Sequence, residues 1–114
     1  MKTTCYGQCL VNAGENFGAT FGNCTDSPAS SWAYKTKSNG TYQLVNEHTG
    51  QCLTSYVGQL VMSDCGSATD QLWRTGSGGT VQSMSSSQCL DESSGWPVTA
   101  TCESGKATQH WAKD

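Results

Sequence analysis

Nucleophilic or acid–base chemistry needs a nucleophile, a base and an orienting group within reach of one another, and this chain offers few of the parts. His48 and His110 are its only histidines. His110 lies between Gln109 and Trp111, where strand alternation turns it away from Trp111 and toward the surface. His48 sits in Asn46-Glu47-His48-Thr49-Gly50, a turn by composition. Asp91 and Glu92 are neighbours, so in a strand they face opposite ways and do not form a carboxylate pair. No Gly-x-Ser-x-Gly, His-Glu-x-x-His or Walker sequence occurs. The seven cysteines contain no Cys-x-x-Cys and recur periodically, which suits disulfides better than zinc. The expectation is a protein that is not an enzyme and holds no metal and no cofactor.

The elements that would position any site come from a repeat. Gln-Cys-Leu occurs at Gln8-Cys9-Leu10, Gln51-Cys52-Leu53 and Gln88-Cys89-Leu90. Each is followed by a second cysteine (Cys24, Cys65, Cys102) and then a tryptophan (Trp32, Trp73, Trp111). Three markers in one order at a period of about forty residues make the chain a threefold repeat. Each repeat reads as four short strands. Thr41-Tyr42-Gln43-Leu44-Val45 and Thr80-Val81-Gln82 open the second and third, each after a turn glycine. The Gln-Cys-Leu segments follow. Val61-Met62-Ser63-Asp64-Cys65 and Val98-Thr99-Ala100-Thr101-Cys102 are third, and the Trp segments fourth. About twelve short strands with Gly and Ser turns imply an all-β barrel or sandwich. Three blades are too few for a propeller, so a closed threefold barrel is the better solution.

These residues carry a family resemblance. Gln-Cys-Leu, a second Cys, then Gln71-Leu72-Trp73 and Gln109-His110-Trp111 resemble the Q-x-W repeat of the ricin B-type β-trefoil lectins, from about residue 5 to Trp111. The resemblance implies one all-β β-trefoil domain over 1–114, with pseudo-threefold repeats of about 1–38, 39–76 and 77–114. It also implies a six-stranded barrel capped by a hairpin triplet, with three equivalent outer sugar pockets. Pairing within repeats gives Cys9–Cys24, Cys52–Cys65 and Cys89–Cys102, staples that a domain with 35% hydrophobic residues needs. Leu10, Leu53 and Leu90, with the three tryptophans, are expected in the core rather than in sugar pockets.

In this family the resemblance implies an Asp just after Cys-Leu that accepts sugar hydroxyls. A ring two to four residues before the second Cys and an Asn before the Gln of Q-x-W complete the pocket. The first repeat has Val11, Phe21-Gly22 and Ala29-Ser30 at these places, so its pocket is expected to be inactive. The second has Thr54, Val61 and Ser63, with Asp70 before Gln71 and Tyr56 in the preceding turn. That leaves Tyr56, Asp70 and Gln71 as a weaker second site. The third keeps Asp91 and Gln109, has Thr108 for the Asn and has Val98 and Ala100 where a ring is expected. Trp96, six residues before Cys102 between Gly95 and Pro97, is the candidate ring. Carbohydrate binding is thus expected mainly at Asp91, Trp96, Thr108 and Gln109.

Charge and cysteine content bound the partners. Six Lys plus Arg and a net charge of −3 argue against nucleic acid, and no apolar run is long enough to span a membrane. Seven cysteines in 114 residues suggest an oxidising compartment, and Met1-Lys2 lead into no apolar leader. A mature secreted chain is expected. Cys5 is the odd cysteine, unpaired or linking a dimer. Counted back from Cys9, Met1 falls level with Leu44 and Val81, so the first strand is expected to be short. The reading is a secreted lectin-like module for a glycan. The rival is a protein-interaction trefoil with degenerate pockets, a subunit or adaptor in a larger secreted assembly.

Overall fold

The computed structural model describes residues 2–3, 9–12, 19–22, 30–56, 59–93 and 96–112. Cys5 and Cys24 fall outside these residues, as does the Ala29 position of the first pocket. The described residues form twelve short strands and no α-helix. The first repeat holds β1 (Lys2–Thr3), β2 (Cys9–Asn12), β3 (Ala19–Gly22) and β4 (Trp32–Thr36). The second holds β5 (Tyr42–Asn46), β6 (Cys52–Tyr56), β7 (Gln59–Ser63) and β8 (Trp73–Thr75). The third holds β9 (Val81–Ser83), β10 (Cys89–Ser93), β11 (Trp96–Ala100) and β12 (Trp111–Ala112).

The fold is a β-trefoil. First and fourth strands of the repeats pair antiparallel, β4 with β5, β8 with β9 and β1 with β12 across repeat boundaries and β5 with β8 within the second repeat. Second and third strands pair as hairpins, with Cys9 opposite Gly22, Cys52 opposite Ser63 and Cys89 opposite Ala100. The three hairpins meet through β3, β7 and β11. Lys2 pairs with Cys9 as Val45 pairs with Cys52 and Gln82 with Cys89, which places Lys2 level with Val45 and Gln82.

The third strands begin two residues earlier than the sequence suggests, at Gln59 and Trp96, and stop before the cysteines. Cys65 and Cys102 leave the ladder to bond Cys52 and Cys89 on the strands behind them. Tyr56 accordingly closes β6, paired with Gln59, rather than lying in a turn. Cys9 is disulfide-bonded as well.

Leu10, Leu53 and Leu90 are wholly buried, and Trp32, Trp73 and Trp111 pack against them in a single core with Tyr42, Leu44, Leu60, Met62 and Val81. Each indole N–H donates to the carbonyl of the leucine in its own repeat: Trp32 to Leu10 at 2.8 Å, Trp73 to Leu53 at 3.0 Å and Trp111 to Leu90 at 3.0 Å. The ring thereby fills apolar volume while its one polar atom is satisfied. Phe21, a candidate aromatic from its place before Cys24, turns to the core and stacks on Trp111 at 5.9 Å.

Candidate functional site

In an antiparallel hairpin, residues directly opposite one another share a face, as do residues two apart on one strand. Register therefore puts Asp91, Ser93, Trp96 and Val98 on one face of the β10–β11 hairpin. Leu90, Glu92, Pro97 and Thr99 lie on the other. The 3-10 turn Ala107–Gln109, preceded by Lys106, packs beside β10 and brings the loop after Cys102 over Asp91.

Asp91 is the centre of a charged cluster. It is only 1% exposed. Its Oδ2 accepts from Lys106 Nζ at 2.8 Å and Gln109 Nε2 at 3.1 Å, and its Oδ1 accepts from the Glu92 backbone N–H at 2.6 Å. The Thr108 hydroxyl, buried alongside, reaches hydrogen-bonding geometry with no described group, although it lies close enough to favour the carboxylate charge. Burial works against that charge. The donors on Lys106, Thr108, Glu92 and Gln109 together outweigh it and hold the carboxyl below the usual carboxylate range. The same pairing raises the Lys106 ammonium above its ordinary value. Both members are ions at neutral pH.

Gln109 is a structural staple before it is anything else. Its Nε2 donates to the Thr101 carbonyl and its Oε1 accepts from the Glu103 N–H, both at 2.8 Å. Gln71 does the same in the second repeat, with the Asp64 carbonyl and the Gly66 N–H, again both at 2.8 Å. The Q-x-W glutamine thus ties down the loop after the second cysteine, and its remaining amide hydrogen faces the residue after Cys-Leu. In the third repeat that residue is Asp91. In the second it is Thr54, which Gln71 approaches at 3.4 Å and which hydrogen-bonds Ser63 at 2.8 Å. In the first it is Val11, whose side chain lies against Gly22.

The two exposed large hydrophobic side chains among the described residues are Trp96 and Tyr56, each 61% exposed. They occupy matching hairpin ends. Trp96 pairs with Ser93, and Tyr56 pairs with Gln59. The ring comes from the second strand of the hairpin in the third repeat and from the first strand in the second repeat.

The structure therefore brings Asp91, Thr108 and Gln109 together, with Trp96 two positions along the same face. In the second repeat Gln71 is engaged by its loop and by Thr54, Asp70 is half-buried in the adjoining 3-10 turn, and Tyr56 stands at the hairpin end. Lys106 is the residue that sequence reasoning missed. Its one signal is that it is the single Lys or Arg between Cys102 and Trp111. Among the described residues no three His, Cys, Asp or Glu side chains gather in a way that could hold a metal ion, and no helix is long and apolar enough to cross a membrane.

Comparison with known proteins agrees with this architecture. The ricin-type beta-trefoil lectin domain family matches residues 2–112. No curated protein sequence is significantly similar to the chain. Among solved structures, the designed threefold-symmetric protein ThreeFoil superposes with a TM-score of 0.80 at 20% identity, covering 95% of this chain and 91% of that one. The hemolytic lectin CEL-III gives 0.80 at 22%, over 97% of this chain and 29% of that one. The GlcNAcα1-4Gal-releasing endo-β-galactosidase from Clostridium perfringens gives 0.84 at 13%, over 95% and 30%. The chain thus spans nearly all of ThreeFoil and under a third of the other two.

Proposed function

The chain belongs to the ricin-type beta-trefoil lectin domain family, and we propose on that premise that it is a secreted, non-catalytic carbohydrate-binding module with its main site in the third repeat. One observation carries the reading. The fold accepts Val11, Thr54 or Asp91 at the same strand position, so it does not need a charge there. Burying a carboxylate is costly unless it is fully paired, and the third repeat nevertheless buries one beneath a hairpin face that ends in an exposed Trp96. A charge that the scaffold does not require, beside a ring that it does not bury, suits a sugar. The cluster offers polar groups for its hydroxyls, and the indole offers a surface for its apolar face. The disulfides Cys52–Cys65 and Cys89–Cys102 support an oxidising, extracellular setting.

One pocket with one ring binds weakly, roughly in the millimolar range. Useful avidity then comes from a second copy, for which Cys5 is a candidate link, or from attachment to other domains. The loss of the charged acceptor at Val11 and Thr54 favours a second reading, a trefoil whose partner is a protein in a secreted assembly. A glycan array with the wild type and Trp96→Ala separates the two. Binding that Trp96→Ala abolishes supports the lectin, and a blank array with folded wild type overturns it.

A further inference from the structure

We infer that the group meeting the sugar in the third repeat is the Lys106 ammonium, with Asp91 as its positioning residue. The ligand class is then a neutral sugar that presents an acceptor oxygen, a hydroxyl or an acetamido carbonyl. This assignment rests on the carbohydrate reading above.

The carboxylate is covered. With Asp91 only 1% exposed and its Oδ2 already shared by Lys106 and Gln109, a sugar diol can reach it only by displacing Lys106. Displacement strips a buried anion of its counter-ion, which costs more than the hydroxyl hydrogen bonds return. Lys106 stays. Its side chain is 43% exposed, and the bond to Asp91 uses one of the ammonium's three N–H donors. The other two are left for a ligand. A flexible lysine would ordinarily lose conformational freedom on binding. Here Asp91 has already fixed the head group, and the backbone is fixed by the Lys106 N–H to the Glu103 carbonyl at 3.0 Å and the Gln109 N–H to the Lys106 carbonyl at 2.9 Å.

Charge decides the ligand class. Asp91 balances Lys106, and Glu103 adds a further negative field at the ammonium. The site offers donors without a net positive charge, which favours neutral acceptor oxygens over a carboxylate or sulfate. Trp96 stands on the same hairpin face, two residues along, or about 7 Å, placed to receive the apolar face of the ring. Lysine and aspartate occur together. In the second repeat the residue before the matching 3-10 turn is Ala68, and Thr54 replaces the aspartate.

The test is a glycan array followed by calorimetric titration of the best neutral glycan into wild type, Lys106→Met, Lys106→Arg, Asp91→Asn and the double variant Asp91→Asn/Lys106→Met. Lys106→Met should weaken binding tenfold or more, Lys106→Arg should restore part of it, and the double variant should bind no worse than Lys106→Met. If Lys106→Met fails to fold, the ε-methylene resonances of Lys106 in wild type are followed during the titration and should shift on sugar addition. Undiminished or tighter binding by Lys106→Met, or unmoved Lys106 resonances in a sugar-bound protein, overturns the assignment and leaves the carbohydrate reading standing. A wild type that prefers carboxylated or sulfated glycans overturns the ligand class. A wild type that binds no glycan overturns the carbohydrate reading and this inference with it.

Discussion

Trp73 donates its indole N–H to the backbone carbonyl of Leu53 at 3.0 Å, joining two wholly buried residues that lie on different strands of the second repeat. Phenylalanine at this position would leave the carbonyl without a partner in the core and open a small cavity. Trp73→Phe should therefore cost about 2–4 kcal/mol, from the orphaned acceptor and the lost ring volume together. Chemical denaturation with the m-value held constant checks this, and a shift below 1 kcal/mol would show that the bond is dispensable.

The staple Cys52–Cys65 closes a short loop of sequence separation 13. Replacing both cysteines with serine should lower stability by roughly 3 kcal/mol or somewhat less, because the loop-closure entropy returns to the unfolded chain. Thermal unfolding of the double variant under non-reducing conditions measures the loss, and the hairpin register should survive in its hydrogen-exchange pattern.

Gly40 and Gly79 each end a 3-10 turn with a positive φ, at 75° and 84°. A Cβ on Gly40 meets nothing within 4 Å, whereas one on Gly79 would stand 2.9 Å from the Trp111 carbonyl oxygen. Gly40→Ala should cost about 1–2 kcal/mol, the left-handed strain alone, and Gly79→Ala distinctly more. Equal losses in the two variants would mean that the backbone at Trp111 yields freely.

Acid should act through Asp91. Its folded-state pKa is lowered by its donors despite burial, so its contribution to stability is present above the unfolded value of roughly 3.9. That contribution is lost as pH falls through the folded pKa. Lys106 is raised by the same pairing, so its share is present below its unfolded pKa and fades only as pH rises through the folded value. Melting temperatures measured from pH 6 downward should fall more steeply in wild type than in Asp91→Asn once below about pH 4. Parallel curves would remove this carboxylate from the acid response.

The trefoil was legible in the sequence because its markers repeat the same physical work. The leucine and the tryptophan fix one contact in each of the three repeats, the two cysteines fix one in the second and in the third, and Lys2 paired with Cys9 lies where counting back predicted. Strand ends were read less well. Val61–Cys65 looked continuous, but the disulfide draws Cys65 out of the ladder. The site was legible only in part. Asp91 and Gln109 follow from their places beside repeat markers, while Lys106 stands in a loop with no marker of its own. Its partner depends on the path of that loop, one residue longer between its Gln109 and Glu103 anchors than between Gln71 and Gly66. Nothing local in the sequence encodes that path.

The glutamine staples have a consequence for how such a molecule can change. Gln71 and Gln109 hold the loops after their second cysteines through main-chain groups of those loops, so these anchors are the same whichever side chain a repeat displays after Cys-Leu. Recognition can be rewritten one sector at a time, without renegotiating the scaffold. Thr54→Asp with Ala68→Lys would transplant the third-repeat cluster into the second. There the amide of Gln71 already waits, and Tyr56 would supply the ring, giving the second repeat the cluster proposed to bind sugar in the third.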